Sequence, residues 1–227
     1  MEGAALIVLA AGLGDRLGGT VPKAFVPLGG LPLLSHALSA ACSSRSITSI
    51  VVVAPEGWED AAREIVAPFG PHAVVTGGPS RADSVRAGLS AIPEDRPAVA
   101  CHDAARPFAA PGLFDAVITA LDGWDGVVPV VPVADTVKRI RGEAVERTEP
   151  REALALAQTP QGFVAEALRR SHARAEGGVL ALTDDAAALE VAGYRVRAIA
   201  GDPANFKITT AEDLARAEAV VAGRSDG

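Results

Sequence analysis

The chain has 227 residues, 49% of them hydrophobic and 22% charged, and a formal charge of −7. Only nine residues are aromatic, so a compact core must be built from Ala, Val, Leu and Ile. The acidic balance opposes nucleic-acid or anionic-membrane surfaces, which need a net basic face, and any bound anion must be held by local cations.

The N-terminal apolar run carries Glu2 where a signal peptide needs a cation, and it runs into glycines. It reads as a first buried strand, Ala5 to Ala10. Similar runs at Ile47 to Ala54, His72 to Thr76, Ala98 to His102 and Gly126 to Val133 predict further strands. Between them, helical spacing marks Leu33 to Ser43, Trp58 to Val66, Arg81 to Ile92 and Gly112 to Leu121. Strands without polar alternation are covered on both faces. The expected fold is therefore α/β: a single Rossmann-like domain over residues 1–222, with a mostly parallel central sheet covered by helices.

After Val133 the pattern changes. Asp135 to Arg141 and Glu143 to Thr148 alternate and are strongly charged, with Gly142 as a turn, which predicts a projecting β-arm over about 135–150. A two-stranded ribbon is marginal alone, so a second subunit is expected to cover Val137, Ile140 and Val145 in a homodimer. Helices follow at Val164 to Ala175 and Asp184 to Val191, then a strand at Tyr194 to Ile199. A last helix spans about Ala211 to Val221, with Thr209 and Glu212 at capping-box spacing and a tail over 223–227. No apolar run approaches the roughly 18 to 20 residues of a membrane span, so a cytoplasmic protein is expected. Cys42 and Cys101 lack metal or redox spacing and read as buried thiols.

The loop after the first strand carries the clearest chemistry. Ala10, Ala11, Gly12 and Gly14 let backbone N–H groups approach a polyphosphate, while Arg16 and Lys23 supply cations. A dinucleotide fingerprint would need glycine where Leu17 stands, and a Walker loop would need Ser or Thr after its Gly-Lys pair. Taken alone, the loop could also be an ordinary strand-to-helix connection. Lysine occurs only at 23, 138 and 207 beside 18 arginines, so lysine here suggests a required point charge. Asp103 and Arg106 follow a predicted strand and fall at the carboxyl edge of a parallel sheet, where α/β ligand sites gather.

The loop Ala10-Ala11-Gly-x-Gly-x-Arg-x-Gly, closing on Pro22-Lys23, resembles that of the sugar-nucleotide pyrophosphorylase-like transferases. With Gly77-Gly78, Arg81-Ala82-Asp83-Ser84-Val85, His102-Asp103-Ala104-Ala105-Arg106-Pro107 and Asn205-Phe206-Lys207, the chain is similar to the 2-C-methyl-D-erythritol 4-phosphate cytidylyltransferases of isoprenoid precursor synthesis, in order along nearly its whole length.

The resemblance implies a transfer from CTP to 2-C-methyl-D-erythritol 4-phosphate with loss of pyrophosphate, with Mg2+ as cofactor. It implies Arg16 and Lys23 as catalytic, with Ala10, Ala11, Gly12, Gly14, Gly78, Ser84, Asp103 and Ala104 on the nucleotide. Arg106, Thr136, Arg151, Thr159 and Lys207 are implied on the acceptor, and Asp103 with Asn205 at the metal. Pro79 departs from the family pattern because it removes a backbone donor beside the base site. Asp185 stands where the family stretch has Glu, and it and His102 read as structural. A ribitol-5-phosphate cytidylyltransferase shares the motifs; a non-catalytic nucleotide-binding module and a hydride-transfer dehydrogenase are the readings from other classes.

Overall fold

The computed structural model describes residues 3–12, 14, 21–70, 72–175 and 184–225. Strand β1 (Ala4–Leu9) lies centrally, paired in parallel with β4 (Ile47–Ala54) and β6 (Ala98–Asp103), and β4 pairs in parallel with β5 (Ala73–Thr76). On the other side β11 (Gln161–Val164) runs antiparallel to β6 and to the start of β7 (Gly126–Pro132). β7 also pairs antiparallel with β10 (Ala155–Ala157) and in parallel with β12 (Val196–Ala200). The sheet is thus mostly parallel, as expected, with an antiparallel insertion that apolar patterning did not reveal. Pro160 and Gly162 interrupt that stretch and hide its strand character.

Successive side chains of β1 alternate between two cores, as the pleat requires. Ala4, Leu6 and Val8 pack with Leu34 and Leu38 of α1 (Leu33–Cys42), Ala62 of α2 (Glu59–Val66), and Phe114 and Val117 of α4 (Pro111–Thr119). Ala5 and Ile7 pack on the opposite face with Val85 and Leu89 of α3 (Arg81–Ser90), Leu168 of α5 (Ala165–Ala175) and Leu189 of α6 (Asp185–Val191). A third cluster, Leu28, Leu33, Phe108, Ile208 and Ala217, joins α7 (Ala211–Ser225) to the turn between β2 (Pro27–Leu28) and β3 (Leu31–Pro32). No described helix is long and apolar enough to cross a membrane.

The arm is a separate hairpin of β8 (Lys138–Arg141) and β9 (Ala144–Thr148), with Gly142 at φ +57° in its turn. Every residue of both strands is exposed, with Ile140 at 64% and Val145 at 61%. Its ion pairs, such as Arg141 with Glu146, lie at the surface, where each is worth at most about 1 kcal/mol, so the arm gains little stability from within.

Two local expectations are corrected. Cys42 is exposed at the end of α1, its Sγ 3.6 Å from His72 Nε2, whereas Cys101 is buried as expected. The cap of α7 lies one residue later than the spacing suggested. Thr210 Oγ1 accepts from the Asp213 N–H, and the Asp213 carboxylate accepts from the N–H groups of Thr209 and Thr210. With Thr210 as the cap, the carboxylate three residues on is that of Asp213, not Glu212.

Candidate active site

The carboxyl ends of β1 and β6 open into a cleft of about 370 Å3 lined, among others, by Ala10, Ala11, Gly12, Lys23, Gly78, Ser84, Asp103, Ala104 and Lys207. Residues from five separate segments of the chain therefore meet where the parallel strands end, the usual position of ligand sites in open α/β sheets. Arg16 and Leu17 lie outside the described residues.

Lys23 opens a short 3-10 turn, Lys23–Phe25, whose Ala24 and Phe25 are buried and fix the backbone beneath the ammonium. Gly14 passes against it with φ +77°, and a Cβ there would stand 2.7 Å from Lys23 Cβ. Glycine is thus required both by the left-handed backbone and by the approach of the lysine.

On the opposite wall, Gly77 and Gly78 have no room for side chains. A Cβ at 77 would meet Ala11 Cβ at 2.5 Å, and one at 78 would meet Asp83 Cβ at 2.2 Å. The N–H of Gly77 goes to the Ala54 carbonyl (2.7 Å), that of Gly78 to Ser84 Oγ (3.2 Å), and that of Ser80 to Asp83 Oδ2 (3.1 Å). Ser80 and Asp83 form a complete capping box at the start of α3. Pro79 has no N–H to offer. The Ser84 hydroxyl, expected to read a base, is engaged by the loop itself.

Asp103 is the electrostatic centre of the cleft. Its Oδ2 lies 2.6 Å from Lys207 Nζ and its Oδ1 3.4 Å from Arg81 Nη2, while its N–H donates to Thr159 Oγ1 at 3.0 Å. Burial alone pushes the carboxyl pKa up, but Lys207 and then Arg81 outweigh it and hold it well below the ordinary range. Arg81 in turn places Nη1 2.7 Å from Asp185 Oδ2, and Asp185 is 1% exposed. Neither Arg81 nor Asp185 was singled out from sequence as a site residue.

Several residues expected on the acceptor or the metal are turned inward. Thr159 is buried, its hydroxyl shared between the Asp103 N–H and His102 Nδ1 (3.0 Å). Arg106 is also buried and donates to the carbonyls of Asn205 (2.8 Å) and Ala157 (3.2 Å). Asn205 is fully buried, with Nδ2 on the Thr159 carbonyl at 2.8 Å, and its Oδ1 lacks a hydrogen-bond partner. These residues brace the segment that delivers Lys207. Gln158, overlooked in the sequence, does the same through Asp202, whose carbonyl accepts and whose N–H donates.

Thr136 and Arg151 lie elsewhere. Both border a separate hollow at the base of the arm with Thr148 and Glu149, and Arg151 donates to the Ala134 carbonyl at 2.7 Å. Neither lines the cleft that holds Lys23 and Lys207.

A mostly parallel α/β sheet with a glycine-bordered cleft, two lysines and one carboxylate at its strand ends suits a phosphate-bearing ligand, as in nucleotidyltransferases. The comparisons are more specific. Residues 4–223 match the family model for IspD, 2-C-methyl-D-erythritol 4-phosphate cytidylyltransferase. The chain is 46% identical to the 2-C-methyl-D-erythritol 4-phosphate cytidylyltransferase of Frankia casuarinae over 96% of this chain and 81% of that one. Its fold is similar to the crystal structure of 4-diphosphocytidyl-2C-methyl-D-erythritol synthase from Anaerococcus prevotii, with a TM-score of 0.86, 28% identity and coverage of 97% and 99% of the two chains. The Thermus thermophilus 2-C-methyl-D-erythritol 4-phosphate cytidylyltransferase structure gives 0.78 at 38% identity, over 98% of this chain and all of that one. The chain belongs to the 2-C-methyl-D-erythritol 4-phosphate cytidylyltransferase family.

Proposed function

We propose that this cleft transfers the cytidylyl group of CTP to 2-C-methyl-D-erythritol 4-phosphate, releasing pyrophosphate. The observation that carries the reading is the meeting of Lys23, Asp103 and Lys207 around the glycine loop in one cleft, within a chain of this family. An acceptor phosphate monoester is largely dianionic at neutral pH, its second pKa being about 6, so its oxygen needs little activation. That oxygen attacks the α-phosphorus in line. The bond from the α-phosphorus to its bridging oxygen breaks, and the electron pair leaves on pyrophosphate.

The barrier is set by repulsion between anions, so the protein contributes position and positive charge. Lys23, with Arg16, is assigned to the charge that grows on the departing phosphates. Lys207 is assigned to the acceptor phosphate, for which it exchanges its contact with Asp103. Ala10, Ala11, Gly12 and Gly14 give the polyphosphate a close backbone approach, and Ala104 adjoins Asp103 at the nucleotide wall.

The residues present fit a magnesium ion in part. Asp103 is an ionised oxygen donor in the cleft, whereas Asn205 is fully buried and does not line it, its Nδ2 on the Thr159 carbonyl and its Oδ1 without a partner. Among the described residues no cluster of three acidic, histidine or cysteine side chains could hold a metal, so Asp103 would act with substrate phosphates as co-ligands. When bound, the ion neutralises phosphate charge.

Thr136 and Arg151 reach an acceptor only if a second copy supplies them, and the exposed arm supports a two-fold homodimer with shared sites. A cytoplasmic location accords with the family's small charged substrates. Pyrophosphate release from CTP, assayed with 2-C-methyl-D-erythritol 4-phosphate, with ribitol 5-phosphate and with no acceptor, tests the reading. Turnover confined to the first acceptor is expected. Preference for ribitol 5-phosphate, or CTP binding without release, would overturn it.

A further inference from the structure

Behind Asp103 lies a buried carboxylate that the reaction as described does not use. Asp185 opens α6, and its place is fixed from two sides. Asp184 caps the helix by accepting from the Ala187 N–H at 3.0 Å, and Gln161 of β11 donates to Asp184 at 2.8 Å. Asp185 Oδ2 takes the Arg81 guanidinium at 2.7 Å, while its Oδ1 has no hydrogen-bond partner and lies 3.4 Å from His172 Nε2. Arg81 therefore joins two carboxylates unequally, close to Asp185 and at 3.4 Å from Asp103. Its side chain, 27% exposed, borders the cleft.

A carboxylate this deeply buried is costly and gains little net stability from one partner, which turns attention to what the pair specifies. An arginine beside a triphosphate cleft has a strong alternative, since guanidinium binds phosphate in a bidentate fork. We infer that Asp185 is a positioning residue that restrains Arg81, so that Arg81 stays beside Asp103 instead of moving onto the nucleotide's phosphates. When Lys207 turns to the acceptor, Arg81 is then the cation that still orients Asp103.

The inference rests on the proposed transfer reaction, and the parent enzyme's own turnover tests that reading separately. Asp185→Asn keeps the shape and removes the charge. Arg81 is then freed toward the phosphates: CTP, titrated calorimetrically, should bind as tightly as in the parent or tighter, while turnover falls about 10- to 100-fold because Asp103 loses its orientation. Asp185→Glu, which keeps a carboxylate for Arg81, should recover most of the loss. In an Arg81→Met background, where the pair is already broken, Asp185→Leu should cost no further turnover, and it keeps the test valid should Asp185→Asn fold poorly. Turnover and CTP affinity falling together with melting temperature would make Asp185 merely structural. Parental turnover in a stable Asp185→Asn protein would overturn the inference outright.

Discussion

Lys207 and Asp103 face each other at 2.6 Å across the cleft, 104 positions apart in the chain. The contact is made because Phe206 and Ile208, on either side of the lysine, pack with the cluster under α7, and Phe206 lies between Phe108 and the Arg216 guanidinium. The ammonium is thereby directed at the strand ends. Lys207→Ala removes a charge-assisted partner worth about 1.5 to 3 kcal/mol, which corresponds to roughly 10- to 100-fold in kcat/KM for the acceptor. Steady-state kinetics with each substrate varied in turn should put that loss on the acceptor. An equal loss for CTP would reassign Lys207 to the nucleotide.

Lys23 is expected to act on the departing phosphates. Lys23→Ala, and likewise Arg16→Ala, should lower turnover by about 10² to 10³ with little change in CTP binding, as for other donors realised only in the transition state. Gly14→Ala should mimic Lys23→Ala in part, because the new methyl group would collide with Lys23 Cβ on a backbone that alanine disfavours. Unchanged turnover in Lys23→Ala removes that residue from the mechanism.

Ser84 is expected to act on base selection through the loop it holds. With Ser84→Ala the Gly78 N–H loses its 3.2 Å partner, and a free donor appears on a wall where the N–H groups of 77, 78 and 80 are all engaged. A donor there can meet the uracil carbonyl that replaces the cytosine amino group. Discrimination between CTP and UTP should narrow by about 1 to 3 kcal/mol, read as the ratio of specificity constants. An unchanged ratio would leave Ser84 a purely local brace.

The parts of this fold that repeat simple periodicities were legible in the sequence. β1, β4 and β6 are continuous apolar runs because they are covered on both faces, and the helices between them carry apolar spacing to match. β10 and β11 were missed because short antiparallel strands around Pro160 and Gly162 lack such a run. The site divides in the same way. Loop glycines and lysines announce themselves by type, whereas Arg106, Thr159 and Asn205 carry residue types suited to ligands yet serve the loops behind Lys207. Only contacts between distant segments decide that distinction. Arg81 and Asp185 are the converse case, an ion pair invisible until the chain closes.

His102 gives the protein a pH dependence separate from that of its carboxylates. Fully buried, with Nδ1 against Thr159 Oγ1 and its ring edge toward Phe114, it has its pKa pulled down to about 4 by desolvation, from an ordinary 6.5. The unfolded chain takes up this proton first, so stability is fully present above pH 6.5 and falls as the pH drops toward 4. The loss should be on the order of 3 kcal/mol by pH 4. Asp103 and Asp185, held below the ordinary carboxylate range, lose their contributions only at lower pH. Chemical denaturation at pH 7 and at pH 4.5 should show the drop in the parent and a flatter profile in His102→Gln. Equal slopes would clear His102 of the effect.

The arm provides the most demanding test. Its strands are exposed throughout, and it leaves Thr136 and Arg151 beside a hollow apart from the cleft of Lys23 and Lys207. Ile140 and Val145, both more than half exposed, lack cover within their own chain, and a marginal two-stranded hairpin would gain it from a second one. If each active site combines the cleft of one chain with Arg151 of its partner, a Lys23→Ala chain and an Arg151→Ala chain complement each other. Unfolding and refolding the two together gives dimers with one doubly damaged site and one intact site. Random pairing makes half the dimers mixed, so activity should return to roughly a quarter of the parental value from two nearly inactive parents. Mixed dimers confirmed by mass, yet no more active than the mean of the two variants, would place Lys23 and Arg151 in one chain's site and end the shared-site arrangement.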